Sequence, residues 1–411
     1  MPEHMHQSKR TNLFIIAGIT VYLLFILSSL YGHGLDVFFL KGDQVHDGYK
    51  VDFFQVPGAF TRFTNGGPLG GAPSSPDIPN VYHPVFTIFV GLILAPFAGQ
   101  AAYMVWTFAH VVIWILTGWY VYKTFHDHKL VGLALLFFFG LFPHYLEIRN
   151  GQYHFLLNSL ITVLLVLSGK KQAHKIVERI VYTTTLFIKP VTLLWAFAYV
   201  QSGRKQTAII GTCFFGLITA VFVVASFLRN QDMGLYYVVN LLAHTHPTGS
   251  TFPQIFTLDA LAREMFGHAY NTLLVKVPIG ISIIVWAHIR RPPLFTQLFI
   301  WTVFYLLFYD LVFEYHYTTL APFFTIGVLT QQFFRKPVAL ILMATYLLPT
   351  PYLYMKLFGI GTVNETVTMA GWTALVLWRT LPLVVLSLLA TSSPLFRSGT
   401  TRGTDVCVDM Y

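Results

Sequence analysis

A chain of 411 residues that is 55% hydrophobic, 17% aromatic and only 10% charged cannot cover itself with a water-facing surface, because soluble domains carry about 25% charged residues. A net charge of +9 raises the question of nucleic acid. However, the basic residues sit in pairs at the ends of apolar stretches (Lys9-Arg10, Lys170-Lys171, Arg204-Lys205, Arg290-Arg291, Arg335-Lys336), the places where Lys and Arg orient a membrane protein. Nucleic-acid binding is therefore excluded, and the composition predicts an all-α polytopic membrane protein with about 10–12 transmembrane or re-entrant helices.

In chain order, residues 1–11 form a polar head and 12–31 a first span, which is long and lacks the small-residue cleavage motif of a removed signal. Lys9 and Arg10 place the N-terminus in the cytoplasm, so the loop 32–83 faces outward. Apolar segments follow at 84–98, 101–122, 130–146, 152–168, 180–201 and 207–228, then a second long outer loop at 229–271. Further segments lie at 272–288, 294–311, 317–334, 337–355 and 370–391, and residues 392–411 form a short polar tail. The organisation is one membrane domain, 1–391, with both termini cytoplasmic at the plasma (inner) membrane.

The second half obeys the positive-inside rule, whereas simple alternation from 84 to 228 puts Lys170, Lys171, Lys175 and Arg179 outside. One remedy makes 84–98 and 180–201 re-entrant or broken, since both carry proline (Pro84 and Pro96; Pro190) and irregular backbone is tolerated at membrane depth where it lines a cavity. Plain alternation stays open beside it. Cys213 and Cys407 make no disulfide framework.

The chemistry-bearing residues cluster in a few polar stretches. The outer loop Gly42–Pro84 holds Asp43, Asp47, Asp52 and Asp77, four of only 17 acidic residues. Asp52 precedes Phe53 and Phe54, and apolar neighbours that desolvate a carboxylate raise its pKa toward that of a general base. The same residue reads equally as the N-cap of a helix starting at Phe53, while Asp43 and Asp47 shape a turn. Lys189-Pro190 puts a charge and a helix breaker inside an apolar segment, which points to a ligand with negative charge.

Glu147 to His154 is a polar hinge between two apolar segments, containing Arg149 and Gln152. Asp310 and Glu314-Tyr315-His316-Tyr317 lead into a segment with Pro322, and His244 and His246 stand in a polar run that fits a lid. No carboxylate or cysteine neighbours that His-x-His pair, so no metal and no other cofactor is indicated. P-loop and Rossmann glycine patterns, a Ser–His–Asp context and a glycosidase-type carboxylate pair are all missing.

Four short motifs in order, with Asp52 before them, carry a resemblance: Tyr82-His83-Pro84, Asn150-Gly151-Gln152, Lys189-Pro190, and His316 ahead of Leu320-Ala321-Pro322. Over roughly 12–330 the chain resembles the bacterial C-type (GT-C) membrane glycosyltransferases that use polyprenyl-phosphate sugars, in particular the polyprenol-phosphate-mannose-dependent mannosyltransferases of the cell envelope. The resemblance implies an inverting transfer on the outer membrane face, from a polyprenyl-phosphate sugar to a hydroxyl of a lipid or glycan acceptor. Asp52 matches the base. Lys189, Arg149 and His316 are the donor-phosphate candidates, with Tyr82, His83, Gln152, His244 and His246 as candidate substrate contacts. Two other readings stay open: a transporter or flippase of a lipid-linked or anionic substrate, which also needs cations at membrane depth, and a non-catalytic envelope subunit. The sugar and the acceptor are left open.

Overall fold

A computed structural model describes residues 2–32, 35, 51–70, 80–97, 99–168, 175–243, 255–267, 271–309, 312–360, 362–363 and 366–392. The architecture is all-helical apart from a two-residue hairpin ladder pairing 362–363 with 366–367 and one isolated bridge, Ile255 to Phe313.

Among the described residues five helices are long and apolar enough to cross a membrane: Thr11–Tyr31, Gly99–Phe125, Lys205–Arg229, Thr272–Arg290 and Met369–Ser392. A sixth candidate is the pair Val131–Gly140 and Pro143–Asn150, bent by 44°. These helices mark a multi-pass membrane protein. The sequence expected about 10–12 transmembrane or re-entrant helices, and other apolar stretches fold as shorter helices: Pro84–Leu94, His154–Ser168, Pro190–Gln201, Leu294–Phe308 and Pro337–Leu347. At about 1.5 Å per residue such helices fall short of a ~30 Å hydrocarbon core.

Local chemistry sets the lengths. Lys205–Arg229 has no proline and runs until Asn230, whose left-handed backbone (φ 50°) caps it through bonds to Phe227 and Ser226 carbonyls. By contrast, the helix Val131–Gly140 stops where Leu141 turns extended, and Pro143 opens the next helix at a position that needs no amide donor. The long helices also show what surrounds them. Leu217, Val221, Val224, Phe227 and Leu228 on Lys205–Arg229, with Leu273, Leu274, Val277 and Ile281 on Thr272–Arg290, are all exposed, a disposition suited to lipid tails rather than water.

The apolar helix Val131–Gly140 lies at the centre. Its Gly132 packs on the backbone of Thr11, where a Cβ would meet the Thr11 carbonyl oxygen at 2.6 Å, the close approach that small residues permit between membrane helices. On its other side Thr325 donates to the Ala134 carbonyl at 3.2 Å. The polar stretch 229–271 is more structured than its polarity predicts. It contains helices Leu235–Ala243 and Leu258–Phe266, the second capped by Thr257 and holding buried Asp259 against Arg263 at 2.7 Å.

Candidate functional site

The break around Lys189 is the first local feature to place. Helix Lys175–Ile188 ends one residue before it, Lys189 is extended (φ −146°, ψ 120°), and Pro190 opens a 3-10 turn running to Leu194. Proline lacks the amide that would continue the helix, so the lysine side chain leaves from a corner. There its Nζ lies 2.9 Å from His316 Nε2. His316 stands on the 3-10 turn Glu314–Thr319, and its Nδ1 accepts the Phe313 backbone N–H at 3.0 Å. Burial first, then the adjacent Lys189 charge, holds the His316 imidazole well below its ordinary range.

A third basic residue joins them. His154 opens helix His154–Ser168, is buried, and sets its ring edge-on to His316 with centroids 4.8 Å apart. Lys189 and His316 are its electrostatic neighbours, and neither of its ring nitrogens has a hydrogen-bond partner. Two unsatisfied nitrogens on a buried ring are unusual, since buried polar groups are nearly always bonded. The sequence placed His154 in the polar hinge without giving it a role; its offset of five residues from Arg149 was the available signal.

The hinge itself is a docking point. Helix Pro143–Asn150 ends at Gly151, whose φ of 66° caps it and whose missing side chain admits Phe53; a Cβ there would lie 2.5 Å from the Phe53 Cβ. Tyr153 donates to the Phe53 carbonyl at 3.0 Å, and Tyr82 donates to Gln152 Oε1 at 3.2 Å. The hinge therefore holds the start of helix Val51–Thr64 against the Tyr82 loop. That helix begins at Val51, so Asp52 sits in its first turn and is not the cap before Phe53 that the sequence allowed; a carboxylate is favourable there as well. The Asp52 side chain lies outside the described residues. Phe53 is fully buried among Tyr103, Trp106 and Tyr153, whereas Phe54 is 41% exposed, so the two phenylalanines do not share one environment.

Arg149 is buried at the end of the hinge helix, with Nη1 3.4 Å from Asn150 Oδ1, and this helix packs against the turn that carries His316. His83 follows a different course. Its Nδ1 caps helix Pro84–Leu94 by accepting from Val85, its Nε2 contacts Thr219 at 3.1 Å, and its ring lies among Phe187, Phe215 and Tyr237. Burial pushes its pKa down to about 3, so the ring is neutral. Both nitrogens thus serve structure. Of the remaining sequence candidates, Asp43, Asp47, Asp77, His244, His246 and Asp310 lie outside the described residues.

Two buried networks were not anticipated. Arg379, on the last long helix, is fully buried and donates through Nε to Glu314 Oε1 at 3.0 Å and through Nη2 to the same oxygen. It also donates to the carbonyls of Thr345 and Leu348, each at 3.2 Å, and so ties the His316 turn to the C-terminal helix. Nearer the first span, His144 Nδ1 is 3.3 Å from Glu147 Oε2 while its Nε2 donates to the Phe138 carbonyl. Tyr22 Oη, His110 Nε2 and Glu147 Oε1 lie buried there without partners. Glu147, at the start of the polar hinge, thus takes His144 as its partner.

Comparison with known proteins finds no matching family model, no similar curated protein and no similar solved structure. The functional reading therefore rests on the residues and their geometry.

Proposed function

We propose that the chain is a membrane glycosyltransferase that moves a sugar from a polyprenyl-phosphate donor to an acceptor hydroxyl with inversion, in the manner of the C-type enzymes it resembles. One observation carries the reading. Stretches far apart in sequence are joined through the 149–154 hinge: Tyr82 and the start of the Asp52 helix bond to its Gln152 and Tyr153, and the Lys189–His316 contact packs on its His154. A displacement at the anomeric carbon needs two things in such a place. Asp52 removes the proton from the attacking hydroxyl. Lys189 and His316, with Arg149 nearby on the hinge helix, receive the charge that develops on the departing phosphate. That phosphate leaves as a stable anion, so no carboxylic acid is needed opposite the base, unlike cleavage between two sugars.

A transporter or flippase of a lipid-linked or anionic substrate is the second reading. The observation favouring it is the buried Tyr22, His110, His144 and Glu147 group, because ionisable residues among membrane helices mark ion pathways. Purified protein in detergent separates the two readings, since transport has no meaning without a sealed compartment. Incubation with a panel of polyprenyl-phosphate hexoses and pentoses is expected to give glycosylated acceptor, and Asp52→Asn is expected to reduce the rate ~100-fold or more while the protein stays folded. No turnover with any donor would sink the enzyme reading. Turnover with Asp52→Asn keeping more than about a tenth of the rate would remove Asp52 from its role.

A further inference from the structure

The helix Lys175–Ile188 and the segment Pro190–Gln201 after it are paired rung by rung. Both Glu178 oxygens accept from Arg204 Nη1 at 2.7 Å. Further along, the Tyr182 and Tyr199 rings lie 4.9 Å apart, and the Thr185 and Thr192 hydroxyls 3.2 Å apart. The partners converge on Lys189, the extended residue between the two arms. The chain therefore goes in along one arm and returns along the other, with Lys189 at the tip. Neither arm is long enough to cross a membrane: the 14 residues of the first make about 21 Å against a ~30 Å hydrocarbon core.

The neighbouring span gauges the depth. Gly211 on Lys205–Arg229 packs on Tyr182, where a Cβ would meet the ring at 2.7 Å, and Phe187 beside the tip packs on Phe215. Phe215 stands about 15 Å along the helix from Lys205, so the tip stops roughly midway through the core. Two other helices start at the level of the tip and show what lies at the base. His154–Ser168 begins with His154 beside His316 and ends at Ser168, whose carbonyl accepts from Arg204 Nη2 at 2.7 Å. Leu320–Thr330 follows the His316 turn and leads to Arg335, whose Nη2 lies 3.0 Å from His128 Nε2. Gly132, one turn beyond His128, packs on Thr11, the residue after Lys9-Arg10. Arg204, Arg335 and the Lys9-Arg10 pair thus stand at the end of the bundle remote from Lys189, as do Lys175, Arg179 and Lys205 at the foot of the arms.

We infer that 175–201 is a re-entrant helical hairpin rooted on the cytoplasmic face, which holds Lys189 at its tip for an anionic ligand that arrives from the outer face only. The gathered cations mark the root as cytoplasmic. The conflict that plain alternation creates for Lys175 and Arg179 disappears, because the chain returns to the face it left. Irregular backbone is tolerated at such a tip, where it is enclosed by protein or lines a cavity. Buried Tyr182 and Tyr199 and the Glu178–Arg204 pair fill the space between the arms and close the route from root to tip. This sidedness does not depend on sugar transfer. A carrier, however, would have to open Lys189 to each face in turn.

The test reads labelling and no activity. In a full-length background with Cys213→Ser and Cys407→Ser, single reporters are placed by Lys175→Cys, Lys205→Cys and, past the far end of the neighbouring span, Gln231→Cys. All three positions are exposed, so the substitutions leave the fold intact. An impermeant maleimide is applied to intact cells and to inverted membrane vesicles. Lys175→Cys and Lys205→Cys are both expected to label in inverted vesicles only, and Gln231→Cys in intact cells only. Labelling of Lys175→Cys and Lys205→Cys from opposite faces means that 180–201 crosses the membrane, and overturns the hairpin. Labelling of both in intact cells keeps the hairpin but overturns its cytoplasmic root. Access to the tip is read with Lys189→Cys and the anionic reagent methanethiosulfonate ethylsulfonate. Reaction is expected in intact cells and not in inverted vesicles. Reaction from both faces overturns the single-sided access and favours the carrier reading; reaction from the cytoplasmic face alone, or from neither, overturns the access while the hairpin stands on the first reporters.

Discussion

The turn Glu314–Thr319 carries two buried polar groups that differ in every respect that matters for function. Glu314 meets Arg379, whose Nε and Nη2 reach the carboxylate while Nη1 and Nη2 reach two carbonyls. Two residues later His316 meets Lys189 at 2.9 Å, beside a His154 ring with no hydrogen-bond partner. A saturated buried network specifies geometry, whereas a partly satisfied one is destabilising until something completes it. The first group is therefore a strut, whereas the second leaves both ring nitrogens of His154 unbonded beside the Lys189–His316 contact. The strut sits where it must: it fixes the backbone from which His316 projects.

The largest expected effect breaks the strut. Arg379→Leu leaves Glu314 as an unpaired buried carboxylate, a change that costs about 3–5 kcal/mol. It should appear as a large drop in melting temperature or in folded yield from detergent. Adding Glu314→Leu should recover most of the loss, because apolar replacement of a whole buried pair is often close to neutral. Should Arg379→Leu alone melt like wild type, the two regions are not of different kinds and the comparison fails.

Next comes the other side of the comparison. Lys189→Met removes a charge that is costly to bury and should keep or raise the melting temperature of the empty protein. Loss of a charge-assisted bond to phosphate weakens donor affinity by about 10–100-fold. Lys189→Arg should be better tolerated because it keeps the charge, though in a planar fork in place of a point. A Lys189→Met protein that unfolds when empty, yet whose surviving fraction binds donor normally, would make Lys189 a second strut.

The two groups were unequally legible in the sequence. Lys189 was visible because a charge in an apolar run is a local anomaly, and Pro190 announced the helix break that the structure contains. The membrane character and the all-helical class followed from composition alone. Arg379 was hidden: it stands inside the last apolar helix, 65 positions from Glu314, and no local pattern encodes so distant a partner. Helix lengths were poorly legible for a related reason. Apolar content reports where a segment can lie in a membrane, but an extended residue such as Leu141 or Lys189, followed by proline, decides where the hydrogen-bond ladder stops. His154 was passed over because histidine beside Arg149 and Gln152 looks like ordinary hinge polarity until its unbonded nitrogens are seen.

The smallest effect belongs to Tyr82, which stands between the two kinds of region. Its hydroxyl donates to Gln152 Oε1 at 3.2 Å while its ring packs on Phe86 and Tyr153. Tyr82→Phe keeps the ring and removes only the donor, a neutral bond of about 1 kcal/mol net. For a chain of this size that is a shift in melting temperature of roughly 2–4 °C or less. If the bond only steadies the loop against the hinge, transfer should fall by less than about tenfold, with kcat/KM for donor and acceptor reduced alike. The acceptor-specific alternative has a distinct signature: KM for the acceptor rises, the donor constant holds, and the melting temperature does not move. That outcome would transfer Tyr82 from the framework to the substrate contacts. A loss beyond ~100-fold at unchanged stability would go further still, since one neutral hydrogen bond does not account for ~2.7 kcal/mol of transition-state binding, and Tyr82 would then have to touch the reacting groups.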